Sequence, residues 1–555
     1  MATNMNALDG PAAKSFFTVP QVDPLSNFGR IGAPVVWEWT RNCLDHHRSC
    51  FGLQHHTRLN ESSTPVFPTR ILDVTPLSDP SLVSLHLSRK DEYDRYLILS
   101  YRWGAGNLSM LKMASLQAFQ EGIALEDLPG TIQDAVEITR AMGIKFLWVD
   151  ALCILQDSEV DVSHELARMK HYYRNALLTI QPSGLSGAEE RFLDSKDSKT
   201  TPLSLDSSNR IEKVLQIPFF SQAGELDKII LDTRAKFYVP KNEPIHSRGW
   251  VLQERLLSPR VLIFPSAGGF ILQCDEIERS YGEVFYFMSD VPWGRYRLPK
   301  LQITSLDEEE PPTGPTTSRE FSEQLQTAWQ DMLLDYGSRS LTNPNDKLVA
   351  IAAIAEYLFE NYGHLLGKYC AGHWRNFLMH GLGWSVSPGS IKPAPQPPRG
   401  PSWSFAAVEG GWYLGPGSTL DFEGDVEVLD CTTVPKYPNL SFGPVLSGQL
   451  TIKGPLLSSL FWGPHGNDTH TLYLYSSPTD ETKLGRAYPD TIENCPLAPI
   501  PVHLLLVTPK TKDSPKALVL LHVKDTVFRR VGVVGCWWMG GVPPGECPVR
   551  VVIIE

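Results

Sequence analysis

Apolar positions follow two different periods along the chain, and the change between them predicts where the elements lie. Between residues 96 and 181, short apolar runs alternate with stretches in which apolar residues recur every three to four positions. The recurring pattern covers 131–142 and 161–175 and predicts two helices. The apolar runs are too continuous for half-exposed strands and predict buried ones: YLILSY (96–101), FLWVD (146–150) and LLTIQ (177–181). An order of strand, helix, strand, helix, strand predicts right-handed crossovers and a parallel sheet.

The pattern changes on both sides of this α/β region, which we place at 91–290. A lead-in over 1–90 contains a helical stripe from Pro34 to Cys50. Residues 108–128 predict a further helix. Residues 248–264 predict a short helix, a break at Ser258-Pro259 and then a strand.

The second half of the chain predicts a different organisation. A linker and helical connector occupies 291–400, with helices expected over 320–336 and 346–367 and a Pro-rich break at 388–401. Short apolar runs separated by Gly and Pro follow over 401–555 and predict a β-rich C-terminal unit.

Composition and charge narrow the classes of protein and partner. With 42% hydrophobic and 20% charged residues, wholesale disorder is excluded, although the polar stretches 194–210 and 305–319 predict surface segments. The net charge of −12 predicts no nucleic-acid partner, because such partners need a basic face. No run reaches the roughly 18 apolar residues of a membrane span, and no secretory signal is visible. Nine sparse cysteines are typical of reduced thiols in the cytosol or nucleus rather than of a disulfide framework.

Common catalytic signatures are missing from the sequence. It contains no Gly-x-Ser-x-Gly elbow, no phosphate-binding loop ending in Gly-Lys-Ser/Thr, no His-Glu-x-x-His and no Cys-x-x-Cys. The composition and motifs therefore leave the chemistry open.

Four segments, in this order, resemble the fungal heterokaryon-incompatibility (HET) domain: YLILSYRWG, LPGTIQDAVEITRAMGIKFLWVDALCILQD, HELARMKHYYRNALLTI and RGWVLQERLLSPRVLIF. Looser similarity extends to five flanking pieces: the Trp-x₃-Cys-x₃-His-x₂-Cys run at 39–50, RSLTNPNDKLVAIAAIA, YCAGHW, PSWSF and FRRVGVV. Two places depart from the family pattern, Arg102 and the QPSG turn at 181–184.

The resemblance implies a fold and a function. HET-domain proteins are fungal and generally cytosolic, so the resemblance implies a cytoplasmic protein. Many act in non-self recognition that ends in regulated cell death, which implies a protein partner or self-assembly. The domain is also remotely similar to the TIR fold, a parallel-sheet α/β module, and some TIR modules cleave NAD. No cofactor is assigned, and NAD is the substrate that this similarity implies. The alternative is a biosynthetic enzyme of a fungal metabolite pathway built on a HET scaffold, because a fold does not fix a function.

Polar residues follow each predicted strand, at the sheet edge where ligands of open α/β sheets bind. The block RGWVLQE adds further polar groups. The candidate binding residues are Ser100, Tyr101, Arg102, Trp103, Cys153, Gln156, Arg248, Gln253 and Glu254. Purely structural roles stay open for two of the candidate residues. Asp150 could cap a turn, and Arg248 could form a structural ion pair with Glu254 or Asp150. Cys153 lies between apolar residues, as buried structural cysteines do.

The candidate catalytic residues are carboxylates, because an NAD-cleaving site needs negative charge beside the ribosyl cation that forms as nicotinamide leaves. They are Glu165, Glu189, Glu190 and Asp150. The resemblance to TIR enzymes implies a Glu in this role. The alternative for the three glutamates is solvated surface carboxylates.

Cys43, His47 and Cys50 are spaced to suit zinc, with His55 or His56 as a fourth ligand. They also form one helical stripe, which suits core packing equally well. We therefore assign no metal from the sequence.

Overall fold

The computed structural model of the chain contains two compact units, Met1–Arg297 (unit 1) and Leu298–Glu555 (unit 2). The residues that it describes are 4–7, 17–18, 28–47, 50, 65–75, 79–104, 110–193, 214–220, 226–232, 236–281, 284–286, 318–386, 389–414, 426–465, 468–479, 483–507, 517–537 and 548–555. The predicted surface segment 194–210 and most of 305–319 lie outside these residues, as do His55 and His56.

Unit 1 has strands and helices in alternation. Its strands are β1 (Asn4–Ala7), β2 (Phe17–Thr18), β3 (Arg70–Asp73), β4 (Leu82–Leu87), β5 (Tyr96–Leu99), β6 (Ile123–Ala124), β7 (Phe146–Trp148), β8 (Leu178–Pro182), β9 (Val214–Phe220), β10 (Leu226–Asp232), β11 (Lys236–Tyr238), β12 (Arg260–Phe264), β13 (Phe270–Cys274), β14 (Glu278–Tyr281) and β15 (Val284–Tyr286). Its helices are α1 (Ala33–His46), α2 (Leu116–Glu121), α3 (Gly130–Ala141), α4 (Asp150–Cys153), α5 (Glu159–Asn175) and α6 (Gly249–Leu257).

A mixed sheet forms the centre of unit 1, in the order β14-β13-β12-β8-β5-β7-β3-β4-β6. The three strands predicted from the apolar runs are parallel neighbours, with Leu97 opposite both Leu147 and Leu178. β12 extends the parallel part beside β8. The outer strands are antiparallel, so the sheet is mixed and the predicted parallel sheet is its central part.

The helices that flank this sheet begin and end where the sequence indicates. α3 buries Ile132, Ala135 and Val136 as predicted, and Gly143 follows with a φ of +66°, which favours glycine. Helix α5 is capped by Ser158, whose side chain accepts the N–H of Asp161. The order β5, α3, β7, α5, β8 is therefore confirmed.

Two expectations for the N-terminal half differ from the structure. Within 1–90, α1 matches the predicted helix, but β3 and β4 also lie there and pair with each other at one side of the sheet. β4 alternates, with Val83 and Leu85 buried, a period of two that favours a strand. The helix expected within 108–128 is only the six-residue α2.

Unit 2 begins with helices and continues as strands. Its helices are α7 (Ser318–Gly337), α8 (Val349–Leu366) and α9 (Leu378–Gly381). Its strands are β16 (Tyr369–Cys370), β17 (His373–Trp374), β18 (Trp384–Val386), β19 (Trp412–Leu414), β20 (Glu427–Pro435), β21 (Val445–His465), β22 (Asp468–Tyr475), β23 (Gly485–Pro489), β24 (Ile500–Leu506), β25 (Ala517–Lys524), β26 (Val527–Trp537) and β27 (Val549–Ile554). The two long predicted helices and the β-rich C-terminal unit are confirmed. Among the described helices, none has both the length and the apolar character to cross a membrane.

The C-terminal strands close on themselves. β21, β22, β23, β26, β25 and β24 pair in sequence, and β24 pairs with β21 again. Alternate residues of these strands face one apolar core, to which Trp462, Leu474, Leu504 and Val519 belong. Burial of every second residue explains why the sequence shows short alternating strands there.

Candidate functional site

Four parallel strands end at the same edge of the central sheet, which we call the rim. The registers of β7, β5, β8 and β12 align their carboxyl ends. Helix α6 begins just beyond this edge and supplies Arg248 at its N-cap and Glu254 on its last turns. Side chains that follow different strands are therefore brought together here, as expected for an open α/β sheet.

A buried hydrogen bond joins the end of β5 to α6. Ser100 Oγ donates to Glu254 Oε2 at 2.5 Å, and Gln181 Nε2 lies 3.5 Å from the same Oγ. Glu254 is only 4% exposed. Burial raises its pKa to about 7, against the opposing effect of the Arg248 charge. This carboxyl therefore changes its protonation near neutral pH.

Arg248 provides the positive charge of the rim. Its Nη1 donates to the carbonyl of Tyr101, and its charge lowers the pKa of both Asp150 and Glu254. Arg248 is partly exposed, so this position suits a structural charge and a group that meets an anion alike.

Asp150 is the second carboxyl of the rim. It begins α4, and its Oδ1 accepts the N–H of Ala151 at 2.7 Å. Both of its oxygens also lie 3.1 Å from Trp103 Nε1. Burial raises the pKa of Asp150, while Arg248 and the nearby Tyr101 hydroxyl oppose that rise. The capping role and the site role therefore coincide in one side chain.

Two buried amide oxygens at this end of unit 1 have no hydrogen-bond partner within the described part of the chain. They are Gln181 Oε1 and Gln253 Oε1. Unpaired buried acceptors are costly, so native proteins usually supply them with water or a ligand. Similar unpartnered atoms also occur elsewhere in the described chain, such as Trp148 Nε1, so the case for a ligand at the rim rests on its charged groups.

Sequence reasoning missed two groups that shape the rim. The Tyr173 hydroxyl, on α5, is hydrogen-bonded to Glu254. Glu243 accepts from Ser183 Oγ at 3.2 Å and from the N–H of Ser266 at 2.9 Å. No local motif marks Glu243, because its partners are 60 and 23 residues away.

Glu165 lies in a separate buried network. It is fully buried, accepts the Tyr172 hydroxyl at 2.8 Å and lies 4.0 Å from Arg70 Nη2. The same Arg70 nitrogen contacts Asp161 at 2.5 Å, and its Nε donates to the carbonyl of Cys153. The structure therefore places Glu165 among groups that tie β3 to α5 and to the turn after β7.

Glu189 and Glu190 are exposed and follow β8. Glu190 Oε1 accepts the N–H groups of Ser186 and Gly187 at 2.9 and 3.1 Å. This turn touches the end of β5, because a Cβ on Gly104 would lie 2.9 Å from the Cα of Gly187. Of the three predicted glutamates, Glu189 and Glu190 therefore lie on the loop beside Trp103.

The remaining predicted residues have local roles in the structure. Burial raises the pKa of Cys153 to about 12, so its thiol stays protonated at neutral pH, unlike a reactive cysteine. Gln156 Nε2 donates to the carbonyls of Asp150 and Ile154 at 3.2 Å. Arg102 Nη1 lies 3.4 Å from the carbonyl of Pro244.

The rim therefore brings two carboxyls, a guanidinium and the unpartnered amide oxygens of Gln181 and Gln253 together in one largely buried cluster. Such a set suits a substrate that develops positive charge near the carboxyls, because a preorganised negative group lowers the energy of that charge. Cys43, His47 and Cys50 lie elsewhere, beside Cys274. Cys274 is opposite Arg260, the first residue of β12, so this cluster lies at the other edge of the sheet.

Comparison with known proteins finds one family model that matches part of the chain. The model of the family described as "Heterokaryon incompatibility protein (HET)" matches residues 96–254. The matched range begins at the first residue of β5 and ends at Glu254, so it contains the Ser100–Glu254 pair and Asp150. No curated protein and no solved structure matches the chain. The remote similarity to TIR modules stays a prediction.

Proposed function

Because residues 96–254 form a domain of the heterokaryon-incompatibility (HET) family, we propose that this protein acts in fungal non-self recognition and regulated cell death. We also propose that the rim cleaves the bond between nicotinamide and ribose in NAD. In this proposal the protein acts in the cytoplasm, and its activity is controlled by assembly with a protein partner or with itself.

The observation that carries the enzymatic part is the environment of Glu254. It is a buried carboxyl whose pKa is raised to about 7, held by Ser100 and placed near Arg248 and Asp150. Structural carboxylates are usually held well below neutrality by their partners, whereas perturbed groups that converge in one place are typical of functional sites.

The proposed reaction is hydrolysis. The C1′–N bond of NAD breaks, and nicotinamide leaves with the bonding electron pair as a neutral molecule. Water adds its oxygen to C1′ and loses one proton, so the products are nicotinamide, ADP-ribose and a proton. Ionised Glu254 stabilises the ribosyl cation, and Asp150 takes up the proton from water. Arg248 offers positive charge to the diphosphate.

This proposal ranks the carboxyls differently from the sequence. Asp150 stays a candidate, and Glu254 joins it as the carboxyl that meets the ribose. Glu190 is engaged in the turn after β8, and Glu165 in the network with Arg70 and Tyr172. We therefore keep Glu165, Glu189 and Glu190 as a second group for substitution.

The first test is turnover by the purified full-length protein. It is incubated with NAD, and nicotinamide is measured by chromatography. We expect Glu254→Gln to reduce the rate by about a hundredfold or more, because the amide cannot carry the negative charge. Glu121→Gln is the matched control, since Glu121 is exposed on α2. Turnover that survives Glu254→Gln but is lost in Glu165→Gln or Glu190→Gln would move the catalytic role to those residues.

The second test separates cell death from catalysis. The wild type and Glu254→Gln are overexpressed at equal levels in a compatible fungal host, and growth and cellular NAD are measured. We expect the wild type to stop growth with loss of NAD and the variant to do neither. Growth arrest by both proteins at constant NAD would keep the recognition function and reject NAD cleavage.

A further inference from the structure

Four buried metal-ligating side chains meet at the edge of the central sheet opposite the rim. They are Cys43, His47, Cys50 and Cys274, and their ligand atoms all lie within 4.8 Å of one another. The Cys274 sulfur and His47 Nδ1 are 3.3 Å apart, close to the roughly 3.5 Å expected for two ligands of one tetrahedral zinc. We propose that these four residues form a structural zinc site of the Cys₃His type.

The end of α1 places three of these ligands. Cys43 and His47 are four residues apart and so project from one face of the helix. Helix α1 ends at His46, and His47 takes an extended conformation. Cys50 lies close to this end of the helix, since its N–H donates to the carbonyl of His47 at 3.1 Å.

This interruption is what brings Cys50 into the group. In a continuous helix, Cys50 would lie seven residues beyond Cys43, about 10 Å along the axis, too far to share an ion. A stripe of core-packing residues explains the spacing of Cys43 and His47 but gives no reason for this return. The local geometry therefore favours a ligand set over simple packing.

The fourth ligand comes from the distant end of β13. The Cys274 sulfur accepts the N–H of Ile277 at 3.3 Å, and the N–H of Cys274 donates to the carbonyl of Ile277 at 2.9 Å. A backbone N–H directed at a ligating sulfur stabilises the thiolate form that binds zinc. The fourth position, for which the sequence suggested His55 or His56, is thus occupied by a residue 227 positions from His47.

Arg260 balances the charge of the proposed site. Three thiolates, one neutral imidazole and Zn²⁺ carry a net charge of −1, which is costly to bury alone. Arg260 is 3% exposed, lies opposite Cys274 in the β12–β13 pair and has its Nη1 3.8 Å from the Cys43 sulfur. Its Nε donates to the carbonyl of Leu177 at 2.7 Å. Within the described residues, no carboxylate forms an ion pair with this buried guanidinium, so an anionic metal centre would supply its missing partner.

Zinc at this site would fasten α1 to the central sheet. The ligands join the segment before β3 to the last residue of β13, so one ion would close a very long loop of chain. Binding converts three thiols to thiolates and releases three protons, and it stabilises the folded state relative to the unfolded state, in which no such site exists. The site is structural, because four protein ligands leave no open position for catalysis.

The first test measures zinc in the purified full-length protein, expressed with added zinc and analysed by plasma mass spectrometry. We expect about one equivalent per chain. Cys274→Ser should lose it, and Cys495→Ser should keep it, since Cys495 is a free cysteine of unit 2. Wild-type protein with less than about a tenth of an equivalent of zinc would overturn the proposal. A disulfide between any two of the three cysteines would also overturn it.

Cobalt substitution keeps the proposal testable if Cys274→Ser does not fold. Cobalt bound by three thiolates and one imidazole in a tetrahedral site shows intense visible bands and a sulfur charge-transfer band. We expect these bands in the wild type. In His47→Cys, which still offers four ligands, we expect the same bands at shifted wavelengths. Weak bands typical of an octahedral site in both proteins would overturn the proposal.

Discussion

At the scale of a single residue, the protonation of Glu254 has a consequence for stability as well as chemistry. Burial raises its pKa from 4.5 to about 7, so between these values the folded protein holds a proton that the unfolded chain has lost. The stabilisation by protonated Glu254 is complete below the unfolded pKa and disappears as the pH rises through the folded pKa.

We therefore predict that Glu254→Gln changes the pH dependence of stability. Between pH 4 and pH 8, the free energy of unfolding of the wild type should fall by about 3 kcal/mol relative to that of the variant. The reason is that the wild type must bury a charge at the higher pH, whereas the amide has none. Denaturant unfolding of the full chain at several pH values measures this difference, with hydrogen exchange in α6 identifying the relevant transition. The control Glu121→Gln should run parallel to the wild type; a parallel curve for Glu254→Gln would contradict the raised pKa.

The sequence indicates Glu254 as a site residue but cannot give its chemistry. The RGWVLQE block predicts a short helix that carries Glu254, with Arg248 close by, and the structure has this helix at Gly249–Leu257 with Arg248 as its N-cap. The protonation of Glu254 depends instead on Ser100, which lies 154 positions away, and on burial by the sheet. Tyr173 and Glu243 escaped notice for the same reason, since their partners come from distant segments.

At the scale of elements, the turn after β5 depends on a close approach of two backbones. Gly104 has a φ of +76°, and a Cβ there would lie 2.9 Å from the Cα of Gly187. Gly143, which ends α3, has a similar φ of +66° but nothing within 4 Å of such a Cβ. Comparing substitutions at these two glycines therefore distinguishes the cost of the left-handed backbone from the cost of a steric clash.

We predict that Gly104→Ala destabilises the protein by about 1–3 kcal/mol more than Gly143→Ala. Both alanine variants are destabilised by the left-handed backbone conformation, but only Gly104→Ala forces the loops after β5 and β8 apart. Thermal and denaturant unfolding of the full chain measure the difference. Equal losses in the two variants would mean that the loops can separate without cost.

A buried arginine joins two elements of unit 2. Arg530 on β26 pairs with Asp490 at 3.0 Å, donates to the carbonyls of Leu382 and Trp384 at 2.7 and 2.6 Å, and lies 3.5 Å from the centre of the Trp384 ring. It therefore satisfies backbone groups of the connector from a strand of the C-terminal sheet.

We predict that Arg530→Ala costs about 3–5 kcal/mol of stability, because it leaves Asp490 charged and buried. Arg529→Ala changes the neighbouring residue, which is exposed, and should stay within about 0.5 kcal/mol of the wild type. Unfolding of the full chain, followed by a probe in unit 2, compares them. Similar losses for both substitutions would show that the buried contacts add nothing.

Local periodicity explains which elements the sequence predicts well. The runs at 96–101, 146–150 and 177–181 and the helices between them carry their own pattern, and all appear in the structure. β3 and β4 were missed because four to six residues give too little pattern to distinguish a strand from an irregular segment. Their place depends on β7, with which β3 pairs 75 positions away along the chain, Leu72 against Leu147.

At the scale of the whole molecule, the chain divides between Arg297 and Leu298 into two compact units. The four potential metal ligands and the rim both lie in unit 1, whereas the closed set of strands lies in unit 2. The acidic, Pro-rich stretch at 305–319 has the composition of a surface linker. The composition of the sequence and the division into compact units therefore both indicate a protease-sensitive boundary near residues 298–319.

We predict that brief digestion of the full-length protein with a protease specific for glutamate cuts first within Glu308–Glu310. Two fragments should resist further digestion, because exposed acidic linkers are cut far more readily than packed elements. Mass spectrometry identifies the fragments, and zinc analysis after their separation should find the metal with the N-terminal one. A first cut inside 96–254 would mean that the region matched by the family model opens more easily than the linker. Zinc with the C-terminal fragment would contradict the proposed ligands.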